Sequence, residues 1–407
     1  MPRRDPAGAR ASSGRMAHVY LLVTVLVVAA NLRGAITAVG PVIDDIGDDT
    51  GLSAGALGLL GAVPLLTFAV VSPLVHTLAR RMGTEPAVGL ALWVLTVGTA
   101  VRSVAAVPGA LWVGTVLLAA AIAVGNVLVP ALVKRDFPDQ VPVVTGVYSA
   151  VMSGFAAVAS GIAVPLAAIG GWQLALGAWA GLALLGALVW LPRTRAHTPP
   201  PDDDPQPLGV APWRSATAWQ VALYMGLQSS GYYLLVTWLP QIEHDRSSTS
   251  HAAAGWLLFA MQIVGILAGL AIGPVLHRQH DQRLAAAGVS GLMVVAAVGL
   301  IVAPGAHVLW VLLAGASAGA SLVVALSLFA ARTRTAHDAG RLSGMAQGVG
   351  YLVAAGGPTV AGLLHDATGA WVATLALVAC VAAVQLVVGL LAGRNRYVGE
   401  PATAAAA

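Results

Sequence analysis

Charge is what this chain has least of. Of its 407 residues only 9% are Asp, Glu, Lys or Arg, and 58% are hydrophobic. Soluble domains carry about 25% charged residues, so a water-exposed globular fold is excluded and the composition is that of a membrane protein. One cysteine is present, Cys380, inside an apolar run. That excludes a disulfide framework and a cysteine-rich metal site. The glycine-rich stretches "GASAGAS" and "GVGYLVAAGG" lie within apolar runs and lack a following Gly-Lys-Ser/Thr, which argues against a nucleotide loop and an ATP-driven pump. No nucleophile–base set or metal-ligand spacing falls at membrane depth. The expectation is a non-enzyme with no cofactor, no metal and no nucleic-acid partner.

What is abundant is long apolar sequence. A spanning helix needs roughly 20 mostly apolar residues. Twelve such runs occur, near 17–42, 55–78, 86–105, 109–133, 142–168, 171–191, 217–239, 252–275, 284–303, 306–330, 342–364 and 369–392. The expected fold class is an all-α membrane protein of twelve transmembrane helices. The first run is no cleaved signal peptide: it is too long, continues into an acidic turn and is followed by eleven more. All but three of the 21 basic residues lie in the tails or in every second loop, the exceptions being Arg33, Arg102 and Arg246. The positive-inside rule then places both termini in the cytoplasm, with the acidic "DDIGDDTG" on the other side. The basic tails suit anionic lipids.

Residues 192–214, "PRTRAHTPPPDDDPQPLGVAPWR", are rich in proline and charge and cannot span. They divide the chain into a basic tail 1–16 read as disordered, a six-helix half 17–191, the cytoplasmic linker 192–214, a second six-helix half 215–392 and a tail 393–407. The halves repeat at an offset near 199: Pro41 with Pro240, Gly55 with Gly255, Pro73 with Pro274, Trp172 with Trp371. Two parallel six-helix repeats point to a transporter with its site at the midplane between them.

Arg33 stands out within the first run. From a cytoplasmic start near His18 it lies about 22 Å into a hydrocarbon core roughly 30 Å thick. A guanidinium at such depth is costly, so it faces protein or a water-filled cavity. Thr37 shares its helical face. Either Arg33 is a structural tie, snorkelling or bonding helix-end carbonyls, or it anchors an anionic or nitro group. No Asp, Glu or His lies near the middle of any run. A cavity around Arg33 is therefore net positive and suits a small anion, for which the planar guanidinium fork is shaped. The same absence argues against a buried carboxylate or imidazole proton relay. Other mid-run polar residues are Asn126, Tyr148, Gln262 and Ser321, with Gln228 and Tyr232 four apart, and Gln347 and Tyr351 four apart. Each is a site candidate or an interhelical hydrogen bond. Trp238 reads as an aromatic anchor at the membrane interface, and Arg102 as a structural residue near the outer end of the third helix.

"NLRGAITAVGPVI", "GIAVGNVLVPALVKRDFP", "GLQSSGYYLLVTWLP" and "LSGMAQGVGYLVAAGGP" together resemble the major facilitator superfamily, in its branch of cyanate permeases and 2-nitroimidazole transporters. The resemblance implies alternating access, with helices 1, 4, 7 and 10 around a central cavity. It departs at Gly34, often proline in the family, which implies a softer bend in helix 1. It departs also at "ARRMGTEP", where Arg80 occupies the acidic position of the usual loop between helices 2 and 3. With the resemblance, the expected substrate-binding residues are Arg33, Thr37, Asn126, Gln228, Tyr232, Gln347 and Tyr351. The expected function is secondary active or facilitative transport of a small polar or anionic solute, cyanate-like or nitro-heteroaromatic, by a monomer in the cell membrane. The alternatives are a drug-efflux protein with an apolar pocket and, more remotely, a transporter-like sensor.

Overall fold

The computed structural model describes residues 6–104, 107, 109–195, 211–277 and 281–399, and these contain helices and turns with no strand. The middle of the linker, 196–210, and the tail ends 1–5 and 400–407 lie outside the described residues. The first span is segmented into α1 (Pro6–Asn31), α2 (Gly34–Thr37), a 3-10 turn Gly40–Val42 and α3 (Ile43–Thr50). Then come α4 (Ala54–Met82), α5 (Thr84–Arg102), α6 (Ala110–Asp136) and α7 (Val141–Trp190). The last six spans are α8 (Ala216–Ser247), α9 (His251–His277), α10 (Arg283–Val302), α11 (His307–Ala331), α12 (Ala336–Thr368) and α13 (Trp371–Ala392).

α7 holds two spans. Gly170 and Gly171 leave helical geometry inside it, Gly171 at φ 70°, a left-handed value that glycine adopts without a Cβ clash. Among the described residues nine stretches are apolar and long enough to cross a membrane, the α7 pair being one of them. α8 and α12 stand outside those nine and complete the twelve spans; Gln, Ser, Tyr and Gly replace aliphatic residues along them. α1 starts at Pro6 rather than near residue 17 as expected. Ala7, Ala9, Arg10 and Ala11 are strong helix formers with no proline after Pro6, so a helix nucleated downstream extends through them.

The packing is repeated. α1 lies on α7, α4 on α6, and α5 on α6 and α7; correspondingly α8 lies on α12 and α13, α9 on α11, and α10 on α11 and α13. The two sets meet through α4 with α12 and α7 with α9. Matched tryptophans show the same repeat in atoms. Trp172 Nε1 donates to Asp49 Oδ2 at 2.9 Å, and Trp371 Nε1 to Asp245 Oδ2 at 2.7 Å.

At the end bearing these aspartates the two sets are shut against each other. A methyl group on Gly58 would overlap the Pro358 carbonyl, and one on Gly362 the Ala54 carbonyl, so the α4 and α12 backbones touch reciprocally. Asp366 at the end of α12 accepts from the Ala54 and Gly55 N–H groups at 3.0 and 2.7 Å, placing a carboxylate at the positive end of α4. Trp238 belongs to this seam. It is fully buried, and its Nε1 donates to the Pro358 carbonyl at 2.9 Å; the expectation of a membrane-interface anchor is corrected. Towards the basic end, methyl groups on Gly146, Gly154, Gly340, Gly344 and Gly348 would meet nothing within 4 Å. Helices α7 and α12 stand open there.

Ion pairs at the basic end tie the first six spans together. Arg193 Nη2 lies 2.5 Å from Asp136 Oδ2, both side chains almost fully buried, and Arg193 Nη1 donates to Thr24 Oγ1 at 2.9 Å. Arg135 reaches Glu85 at 2.6 Å. Glu85, in the first turn of α5 just after the α4–α5 loop, is buried.

Candidate substrate site

Arg33 occupies a break in the first span. Leu32 N–H turns back to Ala29 O at 3.1 Å, a short-range bond, and Arg33 has φ −133°. Asn31, just before the break, donates to Val27 O and across to Leu182 O, holding the end of α1. The break occurs without proline, one residue before Gly34.

Arg33 is half-buried. Its Cζ lies 5.7 Å from the centroid of the Tyr232 ring, a cation–π distance. Tyr232 and Tyr233 meet edge to face at 5.1 Å. Tyr148, Tyr233 and Tyr351 lie in the same region, within electrostatic range of the guanidinium. The chain has seven tyrosines, so most of them converge here. Phe68 extends the aromatic wall, edge to face with Tyr351 at 5.4 Å. No carboxylate pairs with Arg33 among the described residues. The Tyr232 ring stabilises the cation without cancelling its charge, which leaves a positive site beside flat rings.

Tyr232 is also held from behind. Its hydroxyl donates to Gln262 Oε1 at 3.3 Å, and Gln262 Nε2 donates to Ser160 Oγ at 2.9 Å and Ala156 O at 3.3 Å. Thr37 Oγ1 donates to the same Ala156 carbonyl at 2.8 Å. Thr37 is therefore a buried tie between the first and fifth spans. Tyr232 and Tyr351 come together with Arg33 as expected; other candidates lie apart. Gln228 donates to Ser229 Oγ at 2.6 Å and lines a crevice with Gln385, Ser317 and Ser321 inside the last six spans. Gln347 donates to Ser343 Oγ one turn away on its own helix at 2.9 Å. Asn126 is half-buried on α6. Tyr233 and Phe68 were not expected. The signal for Tyr233 was the adjacent pair "YY", but helical spacing assigns neighbours to different faces. Tyr233 joins the cluster through Tyr232, and Phe68 through Tyr351.

A family model, Major Facilitator Superfamily, matches residues 25–358. The chain belongs to the Major Facilitator Superfamily. It is 40% identical over 384 residues to the 2-nitroimidazole transporter of Escherichia coli (strain K12), covering 93% of this chain and 97% of the relative. It is 25% identical over 354 residues to the cyanate transport protein CynX of the same organism, covering 86% and 91%. A solved structure of a bacterial homologue of the human lysosomal transporter Spinster, inward-facing and unoccupied, shares the fold with a TM-score of 0.76 at 15% identity, covering 94% of this chain and 99% of that one. This member of the superfamily is thus an integral membrane transporter of a small molecule and not an enzyme.

Proposed function

We propose that the chain transports a small planar solute bearing anionic or nitro oxygens, held by Arg33 and flanked by Tyr232, Tyr233 and Tyr351, by alternating access. The observation that carries this reading is a half-buried arginine set over the Tyr232 ring, with no carboxylate partner among the described residues. The guanidinium fork matches two oxygens of a cyanate-sized anion or a nitro group, and the rings match its flat faces. The names of the two relatives supply the same two chemistries. With the basic loops in the cytoplasm, the shut acidic end and open basic end correspond to an inward-open state. On this reading the halves 17–191 and 215–392 rock about the site, the linker 192–214 and both termini are cytoplasmic, and a monomer suffices because one chain builds the whole site.

The test is a thermal-shift panel on purified protein in detergent with cyanate, nitrite, small carboxylates, 2-nitroimidazole and imidazole. A ligand that binds the folded state alone raises its apparent stability. Stabilisation by an oxygen-bearing ligand, lost in folded Arg33→Gln, is expected. Loss of one or two charge-assisted hydrogen bonds, about 1.5–3 kcal/mol each, lowers affinity by at least about tenfold. Shifts that survive in Arg33→Gln overturn the anchor and favour an apolar efflux pocket.

A further inference from the structure

Arg102 is a second arginine with no carboxylate partner among the described residues. It ends α5, is only 1% exposed, and its Nε and Nη2 have no hydrogen-bond partner. Burying an unpaired guanidinium is expensive, so its position needs a reason. Close backbone packing puts it there: a methyl on Gly114 of α6 would overlap the Arg102 backbone itself. From that contact the side chain enters a cavity of about 20 Å³, lined among others by Leu60, Pro64, Thr115, Tyr233 and Thr237. That volume admits one water-sized guest.

The cavity lies on the seam between the two sets of six spans, where Gly61 of α4 meets the Thr237 side chain of α8. When that seam parts, the guanidinium faces the opened cleft. Tyr233 joins the two places: it lines this cavity and stands edge to face with Tyr232, over whose ring Arg33 lies. Arg246, the other arginine outside the basic loops, behaves differently. It donates to the Leu300 and Ile301 carbonyls at 2.9 and 3.5 Å, an ordinary helix-end tie.

We propose that Arg102 is a second binding group for a small monovalent anion, on the acidic-end side of Arg33, which takes up the anion as Gly61 and Thr237 separate and passes it to Arg33 beside Tyr233. This extends the anion-transport reading, and its test is separate from that of Arg33. The probe is sodium bromide exchanged for sodium gluconate at constant ionic strength, on purified full-length protein. A saturable rise in unfolding temperature is expected, retained in Arg33→Gln. In Arg102→Met, which keeps the stem, apparent affinity falls about tenfold or more; Arg102→Lys is intermediate. No bromide response in wild type, a wild-type response in folded Arg102→Met, or loss confined to Arg33→Gln overturns the proposal. Should both Arg102 variants fail to fold, bromide anomalous scattering from wild-type crystals decides. A peak beside Arg102 supports the site; a water there that bromide does not replace, or a peak at Arg33 alone, overturns it.

Discussion

Arg33 is tolerated at membrane depth because the chain supplies dipoles in place of a counter-ion. An arginine at the bilayer centre costs about 2.5 kcal/mol or more. The Tyr232 ring, 5.7 Å from the guanidinium carbon, offsets part of that while leaving the charge available. Two substitutions separate charge from shape. Arg33→Lys keeps the charge but replaces the planar fork with a compact ammonium; the expected result is a ligand affinity about tenfold weaker in the thermal-shift titration. Tyr232→Phe keeps the ring and removes a hydroxyl that donates to Gln262. A net hydrogen bond is about 0.5–1.5 kcal/mol, so a roughly two- to tenfold loss is expected. Unchanged affinity in both variants places the solute elsewhere.

Helices in this protein are joined where their ends carry charge. Arg193 and Asp136 are nearly fully buried, and their pair links the end of α6 to the end of α7, with Thr24 of α1 as a further partner. Removing one member of a buried pair strands the other, at about 3 kcal/mol or more. Asp136→Ala is expected to lower the unfolding temperature by several degrees. The Asp281–Arg283 pair, between α9 and α10, has side chains 43% and 50% exposed. Arg283 hydrogen bonds hold the Asp281 carboxyl below the usual carboxylate range. A depressed carboxylate adds stability above its unfolded-state pKa and loses it as pH falls through the folded one. At this exposure the contribution is screened, and Asp281→Asn is expected to leave the unfolding temperature within experimental error at neutral pH. Equal effects from the two substitutions contradict this assignment of burial to stability.

The arrangement of the two six-span sets depends on contacts at the acidic end, where Gly58 and Gly362 bring α4 and α12 together and Asp366 caps α4. Gly58→Leu forces that seam apart, and overpacking costs about 1–3 kcal/mol. It is expected to shift the population away from the shut state. Thr237→Cys in a Cys380→Ala background reports this, because Thr237 is buried in the seam. Labelling by a membrane-impermeant maleimide from the acidic side is expected to speed up about tenfold when Gly58→Leu is added. Asp366→Ala, which removes a cap of about 1 kcal/mol, acts in the same direction and less strongly. Labelling that neither substitution changes means that these contacts do not hold the seam shut.

Twelve apolar runs, the alternation of basic loops and the repeated Trp172 and Trp371 were legible in the chain itself. Bilayer thickness, charge and repetition act on composition and spacing alone. Arg33 was legible for the same reason: a lone charge in an apolar run has few tolerable surroundings. Its neighbours were legible only in part: Tyr232 was among the expected residues, and Tyr233, edge to face with it, was not. Gln228 and Tyr232 share a helical face in projection, yet Gln228 enters the crevice of the last six spans while Tyr232 meets Arg33. Helical spacing sets direction around one axis, whereas partners depend on how axes cross and where a helix breaks. The same limit applies to Arg102: close α5–α6 packing at Gly114 sets it beside a cavity on the seam, which helical spacing alone does not show. Backbone approach between distant helices decides which side chains meet, and it follows from the packing of all twelve spans rather than from any one of them.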